Sequence, residues 1–154
     1  MSPREPVDPD VEVHQAPPIR HRADAAAVVA VIAVGGAIGA TARYLIGLAW
    51  PTPLGGFPWA TLVINVTGCA LIGVLMVVVT DVLTRQRLLR PFLGTGVLGG
   101  FTTFSTYAVD IHQLVANGHP GTALLYLAGT AAGALIAVWM TANATRALIN
   151  WRMR

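Results

Sequence analysis

Four long apolar segments separated by short connectors constrain this chain more than any other feature of its sequence. The segments cover residues 25–50, 59–80, 91–115 and 122–148, and each is close to the ~20 residues that a helix needs to span a bilayer. Charged residues make up only 11% of the chain, far below the roughly 25% of soluble domains. Because a backbone inside lipid must satisfy its own hydrogen bonds, the sequence predicts an all-α membrane protein with four transmembrane helices.

Short polar regions flank these segments. Residues 1–24 contain five prolines and little apolar periodicity, so we expect a disordered proline-rich tail that cannot bury enough surface to offset the cost of ordering. The apolar run that follows is too long for a signal peptide. We therefore divide the chain into this tail, a four-helix transmembrane domain at residues 25–149 and a short basic tail at residues 150–154.

The third apolar segment concentrates residues that weaken a helix. Residues 94–110 (GTGVLGGFTTFSTYAVD) hold four glycines, five Thr or Ser hydroxyls and three aromatic rings. Glycine costs ~1 kcal/mol relative to alanine inside a helix, and hydroxyls compete for backbone hydrogen bonds. Residues 99–103 therefore predict a broken helix with free carbonyls, the kind of backbone that holds cations in membrane proteins. A glycine-rich packing face explains the same composition equally well.

The first helix contains GGAIGATARY at residues 35–44. Gly35 and Gly39 have the GxxxG spacing that lets another backbone approach closely. Arg43 lies on the same face, and a charge within a span marks an ion pathway or a partner. Alternatively, Arg43 extends from near the helix end to the headgroups.

Polar side chains are sparse on the second and fourth helices. Asn65 is the only strongly polar side chain of the second helix, and a buried amide either joins two helices or contacts a ligand. On the fourth helix Tyr126, Thr130 and Ala134 follow one another at i+4, which makes a short row of hydroxyls on one face. Ordinary helix packing explains this row equally well.

No catalytic set is present in the sequence. Asp81 and Asp110 are the only carboxylates after the tail, and His112 and His119 lack a metal-ligand spacing. Neither a phosphate-binding loop nor a Ser/His/Asp arrangement occurs. We therefore do not expect an enzyme.

Three motifs in succession carry a family resemblance. GGAIGATARY, TLVINVTG (residues 61–68) and GGFTTFSTY (residues 99–107) closely resemble the small fluoride channels of the Fluc or CrcB family. The resemblance implies a passive fluoride-selective channel that exports fluoride from the cytoplasm and gives fluoride resistance. It also implies an antiparallel, dual-topology dimer with two pores and a central structural sodium ion.

The resemblance also assigns roles to residues by position. It implies that the backbone carbonyls of Gly99 and Thr102 hold the sodium ion. The fluoride pore then takes in residues from all four helices: Arg43, Asn65, Phe104, Ser105, Thr106, Tyr107, Tyr126 and Thr130. Two positions depart from the family pattern, because Tyr107 replaces a phenylalanine and Ala134 replaces a hydroxyl residue. Both changes weaken the pore that this chain lines.

Two other functions compete with the channel. A small multidrug-type transporter is also a four-helix, dual-topology protein, but it needs a carboxylate in the first helix, and residues 25–50 contain none. A membrane assembly subunit without transport activity would need only the GxxxG faces. Fluoride efflux from liposomes separates the three.

The arginines predict one orientation in the cell membrane. With the amino terminus inside, eight of them lie on the cytoplasmic side: Arg20, Arg22, Arg85, Arg87, Arg90, Arg146, Arg152 and Arg154. The opposite connectors, residues 51–58 and 116–121, contain no Lys or Arg. Because such bias sets topology, we expect cytoplasmic termini and a partner that is a related, oppositely oriented chain. An antiparallel homodimer is the alternative.

Overall fold

The computed structural model describes residues 22–81 and 87–152, and within this part of the chain the fold is helical without strands. Residues 1–21, 82–86 and 153–154, which include most of the predicted amino-terminal tail and the last two residues of the predicted basic tail, lie outside the described residues. Helix α1 spans Arg22–Ala49 and α2 spans Trp59–Asp81. Helix α3 consists of a π-helical segment, Pro91–Leu98, followed directly by an α-helical turn, Gly99–Phe101. Helix α4 spans Ser105–Ala116 and α5 spans Pro120–Arg152.

Within the described residues, three helices are long and apolar enough to cross a membrane: Asp24–Ala49, Trp59–Thr80 and Pro120–Arg152, with mean hydropathies of 2.1, 2.6 and 1.8. The chain is therefore a multi-pass membrane protein. The third apolar segment of the sequence corresponds to α3 and α4, which are separate helices.

The outer helices extend beyond the apolar segments. Helix α1 begins at Arg22, inside the tail predicted for residues 1–24, and α5 continues to Arg152, inside the predicted basic tail. Asp24 lies in the first turn of α1 and Arg152 in the last turn of α5. These charges favour the helix ends they occupy, because the helix dipole is positive at its start and negative at its end.

Helices α1 and α3 pack backbone against backbone, which confirms the close approach predicted from Gly35 and Gly39. A Cβ atom on Gly35 would lie 2.5 Å from the carbonyl oxygen of Phe92, and one on Gly39 would overlap the carbonyl of Val97. Gly100 of α3 meets the backbone of α1 in the same way. Only glycine fits at these positions without moving a helix.

The helix interruption lies after the glycines rather than at them. Gly99 and Gly100 remain helical, and the backbone becomes extended at Thr102, with φ −75° and ψ 156°. Both the amide and the hydroxyl of Thr102 donate to the carbonyl of Leu98, at 3.0 and 2.9 Å. Glycine therefore serves packing here, and the Thr102 hydroxyl is a second donor to a carbonyl that keeps its helical amide partner.

Helices α2 and α5 form the other large contact. Thr141 of α5 donates to the carbonyl of Ala70 in α2 at 2.9 Å, and Gly73 leaves room for this side chain. The buried core is small and centres on Tyr126, whose exposed fraction is 0%, whereas its neighbour Leu125 is 70% exposed. Outward-facing apolar side chains are expected where a helix meets lipid.

Candidate functional site

Asn65 closes the interruption between α3 and α4. Its Nδ2 donates to the carbonyl of Thr103 at 2.9 Å, and its Oδ1 accepts the amide of Thr103 at 2.8 Å. This side chain therefore replaces the two backbone partners that a continuous helix would supply. Asn65 thus joins α2 to the segment between α3 and α4, and its second amide hydrogen can bond another acceptor.

Thr103 is the centre of a hydroxyl cluster that sequence reasoning did not single out. It is buried, its Oγ1 accepts the amide of Thr106 at 3.1 Å, and it donates to Thr106 Oγ1 at 3.0 Å. The Ser105 hydroxyl lies 3.3 Å from Oγ1 of Thr103. The only signal in the sequence is its place between Thr102 and Phe104 in an unusually polar run.

Arg43 contacts the backbone on the α3 side of the interruption. Its Nε donates to the carbonyl of Gly100 at 3.2 Å, and the side chain is half-buried. The guanidinium thus joins α1 to the end of α3 instead of only extending from the helix end.

Aromatic rings follow one another on the α4 side. Phe104 is 79% exposed, and the centroid of its ring lies 5.8 Å from that of Tyr107. Tyr107 lies 5.3 Å from the buried Tyr126, and Phe57 contacts Tyr126 edge-on at 5.4 Å. Such tilted pairs are the preferred geometry of aromatic contacts.

Both tyrosine hydroxyls are engaged. Tyr126 donates to Oδ2 of Asp110 at 3.0 Å, and Tyr107 donates to the carbonyl of Leu127 at 2.8 Å. Asp110 was noted in the sequence only as a lone carboxylate, because nothing there shows that α4 places it beside α5.

An open cavity of about 370 Å³ lies against the interruption. Four predicted pore residues line it: Asn65, Phe104, Tyr107 and Thr130. Ala134, the departure from the family pattern, also lines it. Thr130 Oγ1 is buried and makes no hydrogen bond within the described part of the chain. A buried hydroxyl without a partner calls for an explanation, such as an ion or a water molecule.

The other predicted pore residues lie elsewhere. Arg43 and Thr106 line a second cavity of about 260 Å³, which shares Thr103 with the first. Tyr126 is buried beneath Tyr107. Ser105 is exposed beside the hydroxyl cluster. The predicted residues thus form two groups on either side of Thr103.

Gly99 and Thr102, the predicted sodium ligands, occupy the end of α3. The side-chain hydrogen bonds described above are accepted by the carbonyls of Leu98, Gly100 and Thr103. The carbonyls of Gly99 and Thr102 accept none of these bonds. Within the described residues no group of His, Cys, Asp or Glu could hold a metal ion. Neutral carbonyls at a helix end are oxygen donors that suit sodium, so the donor chemistry fits the ion.

Membrane-spanning helices, an interruption closed by an amide, and polar cavities beside it define a multi-pass α-helical membrane protein with an internal polar site. The family model described as "CrcB-like protein, Camphor Resistance (CrcB)" matches residues 30–142. The chain belongs to this family.

Named relatives from three organisms agree with that assignment. The chain is 61% identical over 127 residues to "Fluoride-specific ion channel FluC 1" of Streptomyces coelicolor, a match that covers 82% of each chain. It is 70% identical over 105 residues to "Fluoride-specific ion channel FluC 2" of Streptomyces avermitilis, covering 68% of this chain and 66% of that one. Identity to "Fluoride-specific ion channel FluC 2" of Nocardia farcinica is 55% over 120 residues, or 78% and 86%. The resemblance drawn from the three motifs is confirmed.

Proposed function

We propose that this chain is a subunit of a passive, fluoride-selective channel that exports fluoride from the cytoplasm and gives fluoride resistance. The observation that carries the proposal is the cavity beside Asn65 and Thr130, in a chain that is 61% identical to a protein named a fluoride-specific ion channel. Its lining contains amide and hydroxyl groups and aromatic rings, and no ionisable acid or base other than Tyr107 and Cys69.

This chemistry suits a small anion. The amide hydrogens of Asn65 and the hydroxyl of Thr130 can replace water that fluoride leaves behind. The positive edge of the Phe104 ring attracts an anion without a full charge. Because conduction requires that the ion also leave, a lining without a fixed positive charge favours flux over tight binding.

The proposed transmembrane domain has four helices, of which α3 and α4 together make the broken third. We infer that two such domains form an antiparallel, dual-topology dimer. The exposed Phe104 and the open cavities then face the second subunit. Carbonyls of Gly99 and Thr102 from both subunits supply four neutral oxygen ligands to a structural sodium ion.

We propose that the chain lies in the inner or plasma membrane of the cell, with both termini in the cytoplasm. Asp24 and Arg87 form an ion pair at 3.5 Å, so the start of α1 and the end of the α2–α3 connector lie on one side, which supports counting their arginines together. At the opposite connectors, a Cβ atom on Gly55 would lie 2.6 Å from Nε2 of His119. The arginine-free pair of connectors is therefore also on one side.

The excess of arginines on the proposed cytoplasmic side favours a second chain with the opposite charge bias as partner over a homodimer. A chain that inserts in both orientations should lack such a bias. Reporter fusions at the carboxyl terminus test it. We expect signal only from the cytoplasmic reporter. Equal signals from cytoplasmic and external reporters would establish dual insertion and exclude the two-chain dimer.

Fluoride efflux from liposomes tests the function itself. The purified chain, alone and with a co-expressed relative of opposite charge bias, is reconstituted into fluoride-loaded liposomes with a potassium ionophore to balance charge. We expect rapid fluoride release and retention of chloride. Absence of fluoride release from both preparations, with intact protein recovered from the vesicles, would contradict the proposal.

A further inference from the structure

An open groove of about 460 Å³ lies between α1 and the start of α3. Val31 lines it on the α1 side, and Leu88, Leu89 and Phe92 line it on the α3 side. Among the described residues of this lining, only Arg87 is charged. None of these residues lines the two cavities beside the helix interruption, so the groove is a separate feature of the molecule.

An apolar track continues the groove along α1. Val34 and Ile38 follow Val31 at spacings of three and four residues, so the three side chains share one helix face. Val34 is 58% exposed and Ile38 is 52% exposed. At 1.5 Å per residue the track is about 10 Å long, most of the ~15 Å depth of one bilayer leaflet. It therefore suits an acyl chain that lies along the helix.

The end of the groove beside the α2–α3 connector is basic. Arg87 lines it, and the exposed Arg90 follows three residues later. Asp24 lies 3.5 Å from Arg87, and both side chains are largely exposed. Charge-assisted hydrogen bonds are usually ~2.7–2.9 Å long, so this ion pair is loose. Two arginines against one aspartate leave this end of the groove net positive.

We propose that the groove binds an anionic phospholipid of the cytoplasmic leaflet, with its phosphate at Arg87 and one acyl chain along Val31, Val34 and Ile38. The apolar wall alone would accept any lipid, whereas the arginines favour a headgroup with a net negative charge. A guanidinium also matches a phosphate in shape, because its N–H groups can donate to two oxygens at once. The inference rests on the proposed orientation and does not depend on fluoride conduction.

A second copy of the chain fits the groove less well than a lipid does. In an antiparallel dimer the partner brings its residues 51–58 and 116–121 to this side of the membrane. These connectors contain no Asp or Glu, so they offer no carboxylate to Arg87 or Arg90. A lipid phosphate supplies the negative charge that these arginines attract.

The test measures lipid binding to the assembled full-length protein in detergent by native mass spectrometry, with phosphatidylglycerol and phosphatidylcholine titrated separately. Arg87→Gln removes the charge at the groove. Arg152→Gln is the matched control, because it removes the same charge from an exposed residue in the last turn of α5. Leu88→Ser makes the groove wall polar, and Leu148→Ser is its control at an exposed position of α5.

We expect the wild type to bind phosphatidylglycerol more tightly than phosphatidylcholine. Arg87→Gln should weaken phosphatidylglycerol binding about fivefold, the factor that one arginine contributes near anionic headgroups, and leave phosphatidylcholine binding unchanged. Leu88→Ser should weaken the binding of both lipids at least about twofold, because the acyl chain loses apolar contact. The two control variants should bind both lipids as the wild type does.

An equal loss of phosphatidylglycerol binding in Arg87→Gln and Arg152→Gln would overturn the inference, since it would show a diffuse attraction to the whole basic face. The inference would also be overturned if Leu88→Ser kept both lipids and lost the dimer in the same spectra, because the groove would then belong to the subunit interface.

A second measurement needs no variant. In vesicles of phosphatidylglycerol and phosphatidylcholine, a phosphatidylglycerol with a photoreactive acyl chain should label residues 31–38 and 88–92 of the wild type, as mapped on peptides. Labelling confined to other segments would overturn the inference even if a variant were poorly recovered. Neither measurement depends on fluoride flux, so a protein that binds lipid here and releases no fluoride would contradict the proposed function alone.

Discussion

The two sides of the helix interruption are held in place by different means. On one side, α3 lies against α1 through Gly35, Gly39 and Gly100, with main chain in contact with main chain. On the other side, α4 is held by side chains: an amide at Asn65 and a hydroxyl at Tyr107. The first side tolerates no added atoms, and the second depends on individual polar contacts.

This difference separates support from selectivity. A backbone contact is insensitive to the chemistry of side chains, so it can hold carbonyls in place for a cation. A wall made of side chains can present donors and ring edges to an anion. The comparison predicts that substitutions on the α1–α3 side affect assembly first, and that those on the α4–α5 side affect flux first.

The largest effect is expected from Gly39→Leu. The new side chain would overlap the carbonyl of Val97, and the clash with main chain should exceed the ~1–3 kcal/mol typical of overpacking. Gly47→Leu is the control on the same helix, because nothing lies within 4 Å of a Cβ atom there. We expect size-exclusion chromatography in detergent to show loss of folded protein for Gly39→Leu alone. Equal recovery of the two variants would contradict the proposed packing.

Asn65→Asp should leave more folded protein than Gly39→Leu does, but the folded protein should conduct much less fluoride than the wild type. An aspartate still accepts the amide of Thr103, but it loses the bond to the Thr103 carbonyl. A carboxylate beside the anion path repels fluoride by ~1–4 kcal/mol at 4 Å, so efflux from liposomes should fall at least ~fivefold.

Asn143→Asp is the matched control for Asn65→Asp, because Asn143 is exposed and its amide bonds only the carbonyl of Trp139 in its own helix. Its fluoride efflux should equal that of the wild type. If Asn65→Asp also conducted at the wild-type rate, Asn65 would have only its structural role.

The sequence predicted the α1–α3 side well, and for a physical reason. Glycines spaced at i+4 mark one helix face, and the close approach at Gly35 and Gly39 needs no knowledge of side-chain conformation. The interruption was placed at residues 99–103, and the backbone leaves the helix at Thr102, within that range. Composition could not show that Gly99 and Gly100 stay helical, because their packing against α1 is a tertiary contact.

The α4–α5 side was predicted less completely. The family resemblance assigned Asn65, Phe104 and Thr130 to the pore, and these three residues line one cavity. It did not identify Thr103 as the centre of the hydroxyl cluster or Asp110 as the partner of Tyr126. These contacts join residues on different helices or across the interruption, and helical periodicity carries no information about them.

Removal of sodium tests the α3 side without a mutation. Carbonyls of Gly99 and Thr102 are the proposed ligands. Without the ion these carbonyls lose the charge that holds them together, so we expect fluoride efflux to fall severalfold when sodium is fully exchanged for a large organic cation. Chloride leak should not rise, because the backbone contact between α3 and α1 remains. Potassium in place of sodium is the matched ionic control. If fluoride efflux is the same with the organic cation as with sodium, the proposed sodium site is contradicted.

The smallest effect, and the sharpest comparison, concerns two threonines of α5. Thr141 bonds the carbonyls of Ala70 and Ala137, whereas Thr130 Oγ1 is buried without a partner in the described part of the chain. Thr141→Val should therefore lose ~1 kcal/mol of stability with fluoride efflux unchanged. Thr130→Val should keep or gain stability, because a buried unsatisfied hydroxyl costs ~1–3 kcal/mol.

Thr130→Val should nevertheless slow fluoride efflux, because one donor of several is lost. The effect should be only about two- to fivefold, since weaker binding also speeds exit from the cavity. Thermal melting in detergent and liposome efflux measure the two quantities on the same preparations. The opposite pattern, with Thr130→Val less stable and fully conducting, would show that its hydroxyl supports the fold and has no part in the anion pathway.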